Sequence, residues 1–223
     1  MTFDKEYKRL ADCVKTDIEC FEKFFHSMFF EDEEIEKVLT AYLSGNGRLK
    51  GKLIRPVLIF LFTRACGIAP EKAHFQLAFC DEMLHNASLI HDDIIDNAET
   101  RRGVPTLNNR FDCRFAVIAG DYLLAKAIEA LSGIGNTEII QIHADCIKKL
   151  ISGESKQYFS RYDALSLSDY IKKSENKTAA LFQAALASVS VLNGGHDLSE
   201  FAKNFGIAFQ IHNDLKNFQA DEK

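Results

Sequence analysis

The sequence predicts an all-α protein, on three observations. Apolar residues recur at helical spacing along nearly the whole chain, as in Phe3, Tyr7, Leu10 and Val14 and again in Ile35, Val38, Leu39 and Tyr42. Only 3 Pro and 12 Gly punctuate 223 residues, so elements can run long. No stretch shows a strand pattern, and a β-sandwich would need more turn residues.

The elements follow from the breaks. A first helix carries Phe3 to Val14, and Gly45 and Gly47 end a second. A third opens around Pro56 and stops at Gly67, and Pro70 sits where a first-turn proline belongs for a long fourth helix reaching the low 90s. A polar loop with Gly103 and Pro105 follows. The next helices span about Cys113 to Leu131, stopped by Gly133 and Gly135, and Thr137 to Tyr162. Ser168 serves as N-cap for a long helix ending at Gly194 and Gly195, and the last helix covers Leu198 to Gln219. No linker, repeat or low-complexity tract divides the chain, so residues 1–223 read as one domain. It is a single bundle of long antiparallel helices whose central members are apolar over most of their circumference.

Composition narrows the function. With 27 Lys and Arg against 32 Asp and Glu, the net charge of −5 argues against a broad electrostatic nucleic-acid binder. The N-terminus has no apolar block of a secretory signal, and the longest apolar run, Pro56 to Phe62, is far short of the roughly 20 residues that span a bilayer. Six cysteines without a C-x-x-C pair, set among apolar residues, read as reduced, buried thiols of a cytoplasmic protein.

The chemistry concentrates where the fourth helix ends, in Leu84-His-Asn-Ala-Ser-Leu-Ile-His-Asp-Asp-Ile-Ile-Asp96. Asp92 and Asp96 are four apart and share a face, with about 5–6 Å between Cβ atoms. Their like charges repel, and the helix dipole disfavours anions at a C-terminus, so both local effects oppose the arrangement. A solvated acidic helix end is the simplest explanation of an isolated DDxxD. Here the preceding turns are apolar enough to be buried, and clustered carboxylates at the mouth of a buried helix need a cation. Oxygen donors on one face suit Mg²⁺, which binds one or two carboxylates plus substrate phosphates. His85 and Ser88, seven and four residues before Asp92, fall on the same face.

Cations complement the carboxylates. Arg101 and Arg102 follow Asp96, and Lys52 and Arg55 stand three apart where the third helix begins. Either basic pair alone would read as solvated surface. A helix N-terminus bearing Lys and Arg favours an anion by dipole, donors and charge together. Carboxylates for a metal and separate cations point to two diphosphate ligands, one bound through metal and one directly.

With these residues in view, the sequence resembles the trans-isoprenyl (polyprenyl) diphosphate synthases. Gly51-Lys-Leu-Ile-Arg-Pro56 is similar to the family's GKxxRP element, His85 with Ser88 to Asp96 to its first aspartate-rich motif, and Arg101-Arg-Gly103 closes that motif. Ala119-Gly-Asp-Tyr-Leu123, Gly153-Glu154, Lys177-Thr178 and Gly206-Ile-Ala-Phe-Gln210 follow in the family's order. The resemblance implies the isoprenoid synthase fold, helices around a central cavity. It also implies a Mg²⁺-dependent prenyltransferase that joins isopentenyl diphosphate to an allylic diphosphate, acting as a homodimer. In that scheme Lys52, Arg55, His85 and Arg102 hold isopentenyl diphosphate, Asp92 and Asp96 ligate Mg²⁺, and Arg101, Lys177, Thr178 and Gln210 contact the allylic diphosphate. Asp92, Asp96, Arg101 and Lys177 carry the catalysis.

Three departures accompany the resemblance. Lys50 and Leu53 replace the usual Gly and Arg of GGKRxRP. The second aspartate-rich motif reads Asn213-Asp-Leu-Lys-Asn217, so Asn213 and Asp214 are expected to be weak metal ligands. The sequence stops at Lys223, before the family's C-terminal helices and lysine-bearing loop. An alternative reading of the last two is a non-catalytic or regulatory subunit of a heteromeric synthase. Small residues Ala87 and Ser88, just over one turn before Asp92, leave room for a growing chain beyond three isoprene units, with the floor expected near Ile147 or Leu150.

Overall fold

The structure is a computed structural model that describes residues 3–29, 33–45, 48–101, 103–159 and 166–221. Two compact units divide the chain, 1–135 and 136–223. Both are helical, as expected, and among the described residues no helix is long and apolar enough to cross a membrane.

In the first unit the expected opening helix is two, α1 (Phe3–Cys13) and α2 (Lys15–Ser27). The chain bends at Val14, whose φ of −119° and ψ of 23° leave the helical region while its side chain is buried. Helix α3 (Glu34–Leu43) stops before Gly45, because Ser44-Gly45 (β1) pairs antiparallel with Arg48-Leu49 (β2). Gly47 lies outside the described residues. Lys50, a departure from the family pattern, has a local use. Its ammonium donates to the carbonyls of Ala41 (3.0 Å) and Tyr42 (2.9 Å), orphan acceptors at the end of α3.

Helix α4 (Ile54–Ala65) opens after Leu53, whose φ of 51° is left-handed and whose side chain is buried. Pro56 stands third in the helix, where its missing N–H is one of the donors a helix start leaves unused anyway. Helix α5 (Lys72–Ile95) begins two residues after Pro70, with the Glu71 N–H donating to His74 Nδ1 (3.1 Å). It ends at Asp96 and Asn97, the latter at a φ of 50° that asparagine tolerates.

What the sequence shows as a polar loop is an ordered hairpin, β3 (Thr100–Arg101) with β4 (Val104–Pro105), turning on Gly103 at a φ of 77°. The short helix α6 (Leu107–Arg110) ties it down. Thr106 Oγ1 and Asn108 Nδ2 both donate to the Ala98 carbonyl (2.8 and 3.1 Å), and Asn109 Nδ2 donates to that of Glu99 (3.0 Å).

Helix α7 (Cys113–Ile134) packs along α5. It starts on Asp112, which accepts from the Phe115 N–H (2.8 Å), and ends at Gly135 rather than at Gly133. Gly133 is inside the helix, where its bare Cα leaves room for the Gln76 amide, as Gly120 does for the His91 ring. Phe21, Phe25, Phe60 and Phe79 fill the core between α2, α4 and α5, with ring centroids 5.2–6.1 Å apart in the pairs Phe21–Phe25, Phe21–Phe60 and Phe25–Phe79.

In the second unit, α8 (Thr137–Phe159) is capped by Asn136, whose Oδ1 accepts from the N–H groups of Glu138 (2.9 Å) and Ile139 (3.2 Å). The expected end at Tyr162 lies outside the described residues. The cap of the next helix is Ser166, not Ser168: its hydroxyl accepts from the Asp169 N–H (3.2 Å) and opens α9 (Leu167–Ser174). The expected long helix does not then run through. A π-helical segment, Glu175–Ala179, separates α9 from α10 (Ala180–Asn193), with the Ala180 N–H bonded to the Glu175 carbonyl five residues back. Helix α11 spans Ser199–Asp221, and its Phe205 and Phe209 pack edge-on to Phe182 of α10 at 5.2 and 5.8 Å.

Cysteines depart from expectation. Cys80 and Cys146 are buried and all six are unbridged, but Cys13, Cys20, Cys66 and Cys113 are exposed.

Two glycines of the expected motifs seat the π segment. A Cβ on Gly153 would stand 3.2 Å from Asn176 Cβ, and one on Gly206 would overlap the Ala179 Cα. Backbone cannot yield as a flexible side chain can, so Gly206→Ala is expected to cost about 2–3 kcal/mol. Gly133→Ala meets only the movable end of Gln76, gains helix propensity, and is expected to change stability by less than about 1 kcal/mol. Urea midpoints of the two variants measure the contrast.

Candidate active site

The first unit carries the carboxylates and most of the expected cations. At the end of α5, Asp92 is half-buried, Asp93 buried and Asp96 exposed. Sequence reasoning passed over Asp93, which is bound to Arg101. Its Oδ1 and Oδ2 accept from Arg101 Nε at 2.8 and 3.0 Å, and Arg101 Nη2 stands 2.7 Å from Oδ1. Burial lowers the Arg101 pKa, but the hydrogen bonds and charge of Asp93, with the charge of Asp92, more than offset it and hold the guanidinium firmly protonated.

Asp92 and Asp96 flank this pair on one side of the last helical turn, and the Asp96 N–H continues the helix onto the Asp92 carbonyl (2.8 Å). Two carboxylates at i and i+4, all oxygen and beside a fixed guanidinium, fit a hard divalent cation. His91, within the same run, turns the other way, its ring lying over Gly120 with Nε2 3.5 Å from Asp121.

Lys52 and Arg55 lie at the start of α4, as expected. Arg55 is buried in the first turn, where the helix dipole and its own charge both favour an anion. Lys52 is already engaged: its ammonium pairs with Asp4 and lies 5.3 Å from the Phe3 ring centroid, while the Tyr7 hydroxyl donates to its carbonyl. Both ends of the Lys52–Asp4 pair are about half exposed, and such pairs are worth about 0–1 kcal/mol, so an anionic ligand can replace Asp4 at little cost. His85 is half-buried on α5. Ser88 is not part of an open polar stripe, since its hydroxyl donates back to the His85 carbonyl (2.8 Å). Arg102 lies outside the described residues.

The second unit carries Lys177, Thr178 and Gln210. Lys177 and Thr178 sit in the π segment, whose widened turn moves them off the ordinary helical register. Lys177 Nζ donates to Glu154 Oε2 at 2.8 Å, a role for Glu154 that the sequence motif did not reveal. Thr178 Oγ1 donates to Gln210 Oε1 (2.5 Å), Gln210 Nε2 donates to Asp214 Oδ1 (2.8 Å), and the Tyr170 hydroxyl donates to Asp214 Oδ2 (2.6 Å). Burial, then the hydrogen bond to Asp214 and its charge, raise the Tyr170 pKa above the usual phenol value, so it remains a donor. Asn213 is half-buried on α11.

The model of the family described as polyprenyl synthetase matches residues 35–223. The chain belongs to the polyprenyl synthetase family. Relatives within it include a prenyl transferase of Synechocystis sp., 38% identical over 75% of this chain and 54% of its own. The decaprenyl-diphosphate synthase of Dictyostelium discoideum is 36% identical over 81% and 41%. The human all trans-polyprenyl-diphosphate synthase is 36% identical over 89% and 50%. The chain thus spans about half the length of these relatives. Among solved structures, a decaprenyl diphosphate synthase from Rhodobacter capsulatus superposes with a TM-score of 0.85 at 29% identity, covering 94% of this chain and 65% of that one. A polyprenyl synthase from Caulobacter crescentus, complexed with calcium and isoprenyl diphosphate, gives 0.82 at 27% identity, covering 93% and 64%. These neighbours bear out the helical class and the isoprenoid synthase fold.

Within the polyprenyl synthetase chain, Asp93 and Arg101 stand or fall together. Asp93→Ala leaves a part-buried guanidinium without its acceptor, and is expected to lower stability by about 2–3 kcal/mol. Asp93→Asn keeps one acceptor oxygen and is expected to cost about half as much. Chemical denaturation of both variants against the parent chain checks the order.

Proposed function

We propose that this chain is a trans-prenyltransferase. It condenses isopentenyl diphosphate with an allylic diphosphate and yields a trans-polyprenyl diphosphate of more than three isoprene units. The observation that carries the reading is the end of α5. Asp93 of the run fixes Arg101, and Asp92 and Asp96, at i and i+4 of the same helix end, are the oxygen donors proposed for a cation. Because the family match runs through both units, residues 1–223 are treated as one prenyl-synthase domain. The proposal extends to a homodimer in the cytoplasm.

In this mechanism Asp92 and Asp96 hold Mg²⁺, which when bound supplies Lewis-acid stabilisation of the charge on the departing diphosphate. Within the first unit Arg101 is fixed by Asp93, and within the second Lys177 is fixed by Glu154 beside the Thr178–Gln210 pair; each is taken, in its own unit, as a donor for the allylic diphosphate. Their positions are set before the substrate arrives, so little reorganisation is needed as charge develops on the bridging oxygen. Lys52, Arg55, His85 and Arg102 orient isopentenyl diphosphate by its diphosphate. The allylic C–O bond breaks, the isopentenyl double bond attacks the resulting cation, and the new carbon–carbon bond leaves a cation that loses a proton to the released diphosphate. Apolar side chains exclude water, which would otherwise capture either cation.

Product length is read from α5. Ala87 is buried and small, five residues before Asp92, and in this reading its methyl group, in place of a bulky side chain, lets the chain lengthen past it. The names of the decaprenyl relatives support the same direction.

Incubation of the purified chain with Mg²⁺, labelled isopentenyl diphosphate and allylic primers, with products sized by chromatography, tests the reading. Asp92→Ala is expected to lower turnover by at least about a thousandfold, several kcal/mol of transition-state stabilisation, with the helical circular-dichroism spectrum unchanged. Activity within a few-fold of the parent would overturn the site. Ala87→Phe is expected to shorten the product in a folded, active variant, and an unchanged length distribution would overturn the tunnel.

A further inference from the structure

The second aspartate-rich motif of this chain retains a single carboxylate, Asp214, between two amides, Asn213 and Asn217. Both Asp214 oxygens accept a hydrogen bond from a side chain, Oδ1 from Gln210 Nε2 and Oδ2 from the Tyr170 hydroxyl. Each oxygen has two lone pairs, so these bonds leave a metal one on each and tie the orientation of the carboxylate to Gln210 and Tyr170 rather than to an ion. The same position in the first motif is likewise spent internally, since Asp93, second of its run, is the carboxylate that binds Arg101.

The consequence lies in the direction of the hydrogen bonds. A carboxylate only accepts, so Asp214 compels Gln210 to turn its NH₂ toward α11 and its carbonyl oxygen toward Thr178. Thr178 must then be the donor in its bond to Gln210. With Asp214 removed or turned away, the Gln210 amide is free to rotate by 180° and reverse the polarity of its contact with Thr178. Tyr170, from α9, stops the carboxylate from turning away.

We propose that Tyr170 and Asp214 are positioning residues, which fix the orientation of the Gln210 amide and through it the Thr178 hydroxyl, and that Asp214 is not a metal ligand in this chain. The inference rests on the reading of Thr178 and Gln210 as contacts of the allylic diphosphate. It adds the residues that aim them and removes Asp214 from the ligands expected of the second motif.

The test is calorimetric binding of farnesyl diphosphate, without isopentenyl diphosphate, to the purified chain and to Tyr170→Phe, Asp214→Asn and the double variant. A Mg²⁺ titration at saturating farnesyl diphosphate accompanies each. Each single variant is expected to weaken farnesyl diphosphate binding about 5–15-fold. The double variant should be no weaker than the worse single one, because both act through the same amide, and the Mg²⁺ concentration for half-saturation should stay within twofold. If Asp214→Asn raises that concentration fivefold or more while Tyr170→Phe leaves both readouts unchanged, Asp214 is a metal ligand and the inference fails. If both variants melt at lower temperature but bind farnesyl diphosphate like the parent, the pair is only structural and the inference fails. Should Asp214→Asn not fold, Tyr170→Phe, which deletes one hydroxyl, decides by the same two readouts. Absence of binding to the parent chain overturns the proposed function itself, whereas normal parent binding with unaffected variants overturns only this inference.

Discussion

Three carboxylates within five residues at the C-terminal end of a helix form an arrangement that charge repulsion and the helix dipole both oppose. The Asp93–Arg101 pair is what makes it tenable. It places a positive charge beside the cluster at hydrogen-bonding distance, and it does so with a guanidinium that burial cannot deprotonate. The rest of the α5 end is arranged around delivering that guanidinium. Asn97 in the left-handed region reverses the chain, Gly103 turns the hairpin, and Thr106, Asn108 and Asn109 hold the carbonyls of Ala98 and Glu99. A sequence of small polar residues with no obvious chemistry thereby becomes the mount for the Arg101 guanidinium.

The second unit solves a similar problem by different means. Lys177 and Thr178 are presented from a π-helical turn, which is costly in isolation because it widens the backbone ladder. It is accommodated because Gly206 lets its helix approach where a side chain would collide with the Ala179 backbone, and Gly153 where one would crowd Asn176. The charge is then fixed by Glu154, as Asp93 fixes Arg101. In each unit a cationic side chain is oriented by an acidic partner, Arg101 by Asp93 and Lys177 by Glu154. The acidic partner lowers the local positive potential somewhat, and in return holds the donor in one place.

Much of this was legible in the sequence, and the boundary between legible and hidden has a physical cause. Helical class and the course of α5 and α7 follow from periodicity, and Asp92, Asp96, Lys52 and Arg55 stand out as candidates by side-chain chemistry, both of which are local, whereas Lys177 stands out only through the family resemblance. Hidden features depended on partners distant in sequence. Nothing local distinguishes Asp93 from Asp92 until Arg101 folds back on it. Nothing in Ser168 to Gly194 marks a π segment until Gly153 and Gly206 are seen against it. Lys50 read as a departure at a binding element, and its ammonium proved to cap α3. The exposed Cys13, Cys20, Cys66 and Cys113 lie on elements that are only partly buried, where an apolar neighbourhood in sequence does not make one in space.

The two aspartate-rich runs, compared position by position, divide their labour in one way. In the first, the second carboxylate binds an arginine, and the first and fifth are carboxylates one helical turn apart. In the second run the first and fifth are amides, and the second remains a carboxylate with both oxygens bonded to side chains. An amide differs from a carboxylate chiefly in charge, so replacement at positions 213 and 217 removes attraction for a metal while leaving an oxygen that can still coordinate. At position 214 the same replacement would turn one of the two acceptor oxygens into an NH₂ group, so that either Gln210 or Tyr170 would lose its acceptor. The chain can therefore lose charge where the role is coordination and still keep its internal geometry, whereas it cannot lose the acceptor on which the Gln210 orientation depends. The charge at position 213 and the orientation of the Gln210 amide are thus set by different residues of this helix only one position apart.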